Sequence, residues 1–362
     1  MDCPLNTGLE LDGWGERLDK KLYRKRYPLS TMIELTERCN LRCVHCYINQ
    51  PANDPFQKQN ELTAEQFKVI LDKITKAGTL YVCLTGGEIF LRDDFEEIYI
   101  HAVKNGLLVS LFTNATLITP RIADTLAAYR PALVDITLYG ATRETYERVT
   151  GVKGAYDACM RGIGLLRERG IKLGLKTVVL TLNQHELAQM KAFASEIGTQ
   201  FRYDGNIWPR LDGSQKPREY QISELDLLAL DFDDVERNDA WMEQARMAAN
   251  ENLRAEYVYA CGAGMRSYGI NSRGEMSICG MVQTTRYNLL EREFAEIWEQ
   301  IGKQRLQKRQ KSSLCQTCGL GGLCVVCPGL SQAANGDDES PEEVVCRLAH
   351  LRAEHFDLYL VK

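Results

Sequence analysis

No stretch of this chain approaches the roughly 18 consecutive apolar residues that a membrane-spanning helix needs. The opening residues, Met1-Asp2-Cys3-Pro4-Leu5-Asn6, lack the basic segment and apolar run of a secretion signal. These two absences point to a cytoplasmic protein with no membrane partner. Positive charge is not in excess either. The 44 Lys and Arg stand against 49 Asp and Glu, a formal net charge of −5, which argues against a general nucleic-acid binder. A local basic run (Lys20, Lys21, Arg24, Lys25 and Arg26) reads as a solvated helix face. Internal repeats and low-complexity tracts are missing too. What is there is an ordinary globular composition, 44% hydrophobic over 362 residues, enough for one large domain and a smaller one.

Cysteine is plentiful, with thirteen in the chain. In a reducing compartment disulfides explain them poorly, and their clustered spacing points to metal. The run Cys39-Asn-Leu-Arg-Cys43-Val-His-Cys46 places three thiols in eight residues with no fourth nearby. A structural zinc site closes with four ligands, and a common iron–sulfur carrier uses four thiolates, so a trio leaves a corner for an external molecule. Zinc, buried thiols and disulfides are the alternative readings of the run by itself.

Around that run the chain alternates strand-like and helix-like segments. Strands are expected at residues 31–36, 80–85, 107–113, 133–139, 172–182 and 200–204. Between them, Thr63-Ala64-Glu65-Gln66 reads as a capping box, with Phe67, Ile70, Leu71 and Ile74 at helical spacing. Asp93-Asp94 opens a second helix, Pro120 begins a third, residues 154–169 form another, and Asn183 caps the next. Six β/α units imply parallel strands with right-handed crossovers. The expected fold is therefore α/β, a partial (β/α)6 TIM-like barrel whose site lies at the carboxyl ends of the strands. The expected divisions are a lead-in at 1–29 with a short helix at 17–26, the barrel at 30–215, an acidic helical connector at 216–254, a cysteine-rich unit at 255–350 and a helix end at 351–362. The cysteine-rich unit has little continuous hydrophobic pattern, so metal ligation is expected to stabilise it more than a core does. An amphipathic helix at 341–359 closes the chain.

The spacing C-x3-C-x2-C, with the aromatic His45 before the last cysteine, resembles the signature of the radical S-adenosylmethionine (SAM) superfamily. The resemblance implies that Cys39, Cys43 and Cys46 hold three irons of a [4Fe–4S] cluster. SAM chelates the fourth iron, and one electron splits it to a 5′-deoxyadenosyl radical. His45 and Tyr47, on either side of Cys46, join the cofactor contacts on the same basis. Thr85-Gly86-Gly87-Glu88 is by itself a turn; after the second strand it resembles the family motif that holds the SAM amine, with Glu88 or the Gly86 and Gly87 carbonyls as acceptors. Thr113-Asn114-Ala115 looks like the family's Thr-Asn-Gly turn, Ala115 departing from glycine. The segment Asp135 to Arg143 matches one that places Thr137 and Arg143 near the SAM ribose and carboxylate. Arg143 can equally cap a helix or pair with Glu147, and Tyr139 can pack on adenine, on substrate or in the core. The loop Tyr203 to Arg210 mixes aromatic and charged groups suited to a polar substrate.

The late cysteines Cys261, Cys279, Cys315, Cys318, Cys324, Cys327 and Cys346 resemble the SPASM extension of that superfamily, in place of a zinc ribbon at 315–327. The last spacing of that block is one residue short. Family pairing implies one auxiliary iron–sulfur cluster on Cys315, Cys318, Cys324 and Cys346, and a second on Cys261, Cys279 and Cys327 with one position open. Cys3, Cys83 and Cys159 are left as ordinary thiols. Sulfatase-maturing relatives place an Asp after the cysteine equivalent to Cys279; here Gly280 follows, which argues against that reaction. The expected activity is hydrogen abstraction from a C–H bond of a ribosomally made peptide, leading to a thioether or carbon–carbon link, epimerisation or excision. The expected partners are a peptide with a leader, a separate leader-binding protein, since residues 1–29 are too few for a fused one, and a flavodoxin- or ferredoxin-type electron donor. Two alternatives stand beside it: radical chemistry on a small molecule, such as a tetrapyrrole side chain, cofactor or sugar, and a non-catalytic iron–sulfur or zinc redox sensor.

Overall fold

The computed structural model describes residues 21, 25–48, 50–248, 256–311, 314–320, 323–324 and 327–356. Six strands follow one another in space as in sequence: β1 (Ser30–Thr36), β2 (Tyr81–Gly86), β3 (Leu108–Thr113), β4 (Leu133–Thr137), β5 (Leu173–Val178) and β6 (Gln200–Asp204), all paired in parallel. Helices α1 (Ala64–Lys76), α2 (Phe95–Lys104), α3 (Pro120–Ala128), α4 (Arg143–Thr150), α5 (Ala155–Glu168) and α6 (Leu187–Glu196) make the crossovers. Helix α1 shows the logic. Thr63 and Gln66 close a capping box, and Phe67, Ile70, Leu71 and Ile74 form a fully buried stripe against the sheet. Parallel strands buried on one face by helices leave the other face to line a lumen.

The sheet does not stop at β1. A second group of strands, β7 (Ser267–Ile270), β8 (Glu275–Ser277) and β9 (Tyr287–Asn288), continues it to nine strands in the order β9-β8-β7-β1-β2-β3-β4-β5-β6. β7 pairs in parallel with β1, from Ser30 opposite Ser267 to Ile33 opposite Ile270, while β8 and β9 are antiparallel. Tyr268, Ile270, Met276 and Ile278 are buried in the same hydrophobic cluster as Ile33 and Leu35. The cysteine-rich stretch, expected to rely on metal ligation more than on a core, thus shares the barrel's own core in its first part. Further helices among the described residues include α7 (Glu224–Phe232), α8 (Val235–Ala248), α9 (Phe294–Arg305), α10 (Pro328–Asn335) and α11 (Glu343–His355).

Two local expectations change. Asn183 caps no helix with its side chain; it accepts from Leu180 N–H at 2.7 Å and donates to the Tyr139 and Val178 carbonyls, and α6 begins only at Leu187 after a 3-10 turn. Arg26 is not a solvated charge, since its guanidinium lies 3.9 Å from the Trp298 ring centre and donates to the Gly264 carbonyl at 2.8 Å. The lead-in helix expected at 17–26 falls mostly outside the described residues, as do Cys3, Lys20 and Arg24. No helix among the described residues is long and apolar enough to cross a membrane.

Candidate active site

The loop after β1 is fastened before any ligand is considered. Arg38 is buried and places its guanidinium on Glu61 at 2.8 and 2.9 Å and on the Ala52 carbonyl at 2.9 Å. Arg42 and Val44 donate backbone N–H bonds to the Thr150 and Val149 carbonyls at 2.9 and 3.0 Å, tying the loop to the end of α4. Within it Cys43 is buried and Cys39 and Cys46 are partly exposed, and all three line one cavity of about 730 Å³ at the carboxyl ends of the strands. Burial pushes the Cys39 thiol up to about 12. Burial, then the neighbouring Cys46 and Cys39 sulfurs, push Cys43 well above the ordinary thiol range, and a hydrogen bond with the Tyr139 hydroxyl opposes this. Thiols that crowd one another in this way suit a cation that takes their protons' place. No three His, Cys, Asp or Glu side chains among the described residues converge where one metal ion would sit; a cubane puts its thiolates on different irons and needs a wider triangle.

The rest of the wall comes from the strand ends. Thr85, Gly86 and Gly87 from β2, Thr113 and Asn114 from β3, Thr137 and Tyr139 from β4 and His45 and Tyr47 from the cysteine loop all line the cavity. His45 stacks obliquely on Tyr139, ring centres 5.4 Å apart, and its Nδ1 is buried without a hydrogen-bond partner. Burial holds its imidazole neutral, down to about 4. A buried unpartnered nitrogen in one cavity with three thiols and two half-buried glycine backbones fits a polar ligand such as the nucleoside and amino-acid parts of SAM.

Gly86 and Gly87 are small for a reason the motif alone does not give. A Cβ on Gly86 would lie 2.1 Å from the Thr36 carbonyl oxygen, and one on Gly87 2.2 Å from that of Arg38. The pair lets β2 press against the root of the cysteine loop, with Gly87 N–H and Glu88 N–H donating to those two carbonyls at 2.8 and 2.9 Å. Ala115, where the motif has glycine, still adopts the left-handed conformation at φ 61°, so the turn keeps its shape at a cost of about 1 kcal/mol.

Two expected contacts are elsewhere. Glu88 does not face the cavity. It is completely buried and accepts from Thr113 Oγ1 at 2.8 and 3.0 Å, Asn114 N–H at 2.8 Å and Phe90 N–H at 3.1 Å. It staples the β2 turn to the β3 turn, and Asn114 in turn donates to Asn40 Oδ1 at 3.0 Å and towards Cys39 Sγ at 3.8 Å. Arg143 points to solvent and pairs with Asp157 at 2.7 Å, neither with Glu147 nor with the cavity.

The far side of the cavity holds residues that the motifs missed: Phe112, Lys176, Arg202, Asp234, Glu236 and Arg237. Lys176 carries a readable signal, a charge in the middle of a largely apolar parallel strand, whereas Arg202 sits in a strand with polar residues at both ends. Tyr203 and Asp204, foreseen as substrate residues, line this cavity together with a neighbouring one of about 430 Å³ that Cys327 also lines. Beyond the first trio, the thiols interact in two sets. Cys279, raised by burial, lies near the Cys327 and Cys261 sulfurs, and Cys346, raised by burial, near those of Cys315 and Cys318. Cys83 faces the barrel interior near Lys176, and Cys159 is buried beside Tyr146.

Comparison with known proteins agrees with this arrangement. The profile of the radical SAM superfamily matches residues 33–194. An AdoMet-dependent heme synthase of Methanosarcina barkeri is 27% identical over 330 residues, 85% of this chain and 94% of that protein. The mycofactocin maturase MftC of Mycolicibacterium smegmatis is 30% identical over 311 residues, 82% of this chain and 77% of that protein. The crystal structure of Streptococcus suis SuiB bound to precursor peptide SuiA shares the fold, with a TM-score of 0.67 at 18% identity, over 96% of this chain and 83% of that one. The chain therefore belongs to the radical SAM superfamily, in its SPASM-type group, and is an enzyme that works with SAM and a [4Fe–4S] cluster.

Proposed function

We propose that this enzyme modifies a ribosomally made peptide, with Cys39, Cys43 and Cys46 holding the cluster and SAM lying against His45, Tyr47, Gly86, Gly87, Thr113, Asn114 and Thr137. When bound, the cluster and SAM supply a 5′-deoxyadenosyl radical able to take hydrogen from an unactivated C–H bond. The chain's own residues position and seal. Glu88 and Asn114 fix the turns that carry the cofactor contacts, Tyr139 and His45 close the apolar side, and Arg210, which donates to the Ile48 carbonyl at 3.0 Å, draws the loop after β6 onto the cysteine loop. Positioning of this kind, with water kept out, is the protein's share of the catalysis.

One observation carries the peptide reading. The main cavity and its neighbour share Tyr203, Asp204 and Arg237, so a groove runs from the cysteine loop to Cys327, longer than a nucleoside requires and suited to an extended polar chain. The mycofactocin maturase relative and the shared fold with a peptide-bound enzyme point the same way. Cys261, Cys279 and Cys327 would carry one auxiliary cluster with an open position near the substrate, and Cys315, Cys318, Cys324 and Cys346 a closed one. The two sets of interacting thiols support that grouping. We read 30–215 as the catalytic unit, 216–254 as connector and 255–350 as the auxiliary-cluster unit, the protein working in the cytoplasm with a separate leader-binding protein and a flavodoxin- or ferredoxin-type donor.

The match across 94% of a heme synthase supports a second reading, radical decarboxylation of a tetrapyrrole side chain. Anaerobic holoenzyme with dithionite and SAM is expected to release 5′-deoxyadenosine. Mass spectrometry of candidate precursor peptides co-expressed with the enzyme then identifies the product. Turnover of an iron tetrapyrrole with no change in any peptide would overturn the first reading in favour of the second.

A further inference from the structure

Three charged side chains sit side by side inside the barrel, away from the cysteine loop, and the cofactor contacts leave them unused. Asp135 on β4 has no exposure; its Oδ2 receives the Arg202 guanidinium and lies 3.5 Å from Lys176 Nζ. Its second oxygen, Oδ1, is buried and has no hydrogen-bond partner. Strand register produces the group. Asp135 pairs with Gly174 on β5, and Lys176, two residues on and so on the same face, pairs with Arg202 on β6. A Cβ at Gly174 would stand 2.6 Å from Asp135 Oδ1, so glycine makes the space the carboxylate fills. Lys176 Nζ lies 2.9 Å above the centre of the Phe112 ring, which holds the ammonium in place. Lys176 and Arg202 both line the cavity that contains Cys39, Cys43 and Cys46.

The charges do not balance. Two cations share one carboxylate, Lys176 mostly buried and Arg202 reaching out to solvent, leaving an excess of one positive charge at the buried Lys176 end. Arg237, the other cation on the wall, is committed to Asp231 at 2.7 Å and the Tyr203 carbonyl at 3.0 Å. Of the nearby acids, Asp204 accepts from the Asn206 N–H and Asp234 from Lys191 and Tyr203; Glu236 is carried on the separate helix α8. An uncompensated charge in a desolvated wall is costly until something pairs with it. Arginine supplies the planar fork that suits a carboxylate, lysine a point charge beside it.

We propose that Lys176 and Arg202 form a subsite for a carboxylate of the substrate, with Asp135 a positioning residue that holds the Arg202 fork from behind. The subsite rests on the reading of this cavity as the substrate site, and it defines the substrate class: a molecule that presents an anionic end or side group into the barrel while its C–H bond lies at the cysteine loop. Burial lowers the Lys176 ammonium to about 8 while Asp135 opposes the shift, so it is charged at neutral pH. A peptide C-terminus, an acidic side chain and a tetrapyrrole propionate all offer this chemistry.

The test is equilibrium dialysis of anaerobic holoenzyme with SAM against two pairs of probes. One pair is a pool of N-acetylated tripeptides as free acids and as C-terminal amides. The other is coproporphyrin III and its tetramethyl ester. The free acid of at least one pair is expected to bind about tenfold more tightly than its neutral form, the size of one charged hydrogen bond. Lys176→Met, which keeps the stem on Phe112, and Arg202→Gln should each erase that preference, and Lys176→Arg should restore it. Melting curves verify that each variant is folded; Arg202, on the outermost barrel strand with a side chain 60% exposed, carries the test if the Lys176 variant does not fold. Equal binding of acid and neutral forms, binding of neither, or a preference that survives both substitutions overturns the subsite. A preference seen only with the porphyrin keeps the subsite and removes the peptide reading.

Discussion

The loop of Cys39, Cys43 and Cys46 and the segment of Cys315, Cys318 and Cys324 each carry three thiols in a short stretch, but the polypeptide fastens them differently. The first loop has Leu41 and Cys43 in the main hydrophobic core, two backbone bonds to α4 and the Arg38–Glu61 pair at its root. The second has a short 3-10 turn, Leu314–Gln316, and a small cluster in which Leu323 packs on Ala349 and Ala353 of α11. Among the described residues, one polar tie is Arg352, which donates to the Leu323 carbonyl at 3.1 Å, to Asp231 at 2.6 and 2.9 Å, and lies 3.8 Å from the Trp241 ring centre. A site built into a large core is preorganised before metal arrives, whereas one resting on a small cluster between α11 and α8 has less packing to hold it.

The largest effect that would break this contrast concerns activity. Cys43→Ser is expected to lower 5′-deoxyadenosine formation to background. Cys318→Ser should leave SAM cleavage measurable while product formation is lost. Equal loss of SAM cleavage in both variants would show that the two sites are not separable. Next in size, Asp231→Ala strands the buried Arg352 and is expected to destabilise the C-terminal helix by about 3–5 kcal/mol. Hydrogen exchange should speed up in α11 and α7 while β1 to β4 keep their protection. On the barrel side, Glu88→Ala leaves three buried donors unpaired and should remove about 3 kcal/mol, weakening SAM binding although Glu88 touches no ligand.

Glu88 also gives a pH signature. Burial raises its carboxyl from 4.5 to about 7, so the folded state holds the proton more tightly than the unfolded chain. That stabilisation is full below about pH 4.5 and is lost as pH rises through 7, and Glu88→Gln should flatten stability across that window. The smallest effect belongs to Arg143→Ala. It removes an exposed ion pair worth less than about 1 kcal/mol and should leave the affinity for SAM, measured by calorimetry, unchanged.

The barrel was legible because helix stripes such as Phe67, Ile70, Leu71 and Ile74 and the capping box at Thr63 are local signals, written within a few residues. The pairing of β7 with β1 was not, since residues 30 and 267 are joined by a register that no short pattern encodes. The same distinction runs through the site. The cysteine spacing and the glycine pair announced themselves, but a carboxylate after two glycines reads alike whether it faces a ligand or, as Glu88 does, the N–H groups of the neighbouring turn. Arg143 followed a helix start and went to solvent with Asp157. Lys176, Asp135 and Arg202 needed the strand register to become neighbours.

The uninterrupted ladder from β8 through β7 to β1 has a mechanical consequence. Cys39 lies three residues beyond one end of β1 and Cys279 two residues beyond β8, so the spacing of these two thiols is set by a shared girder of backbone. These two halves cannot swing like a clamshell without tearing that girder. Any gate admitting a bulky reactant therefore has to open on the opposite flank, where β6, α7 and α8 border the groove.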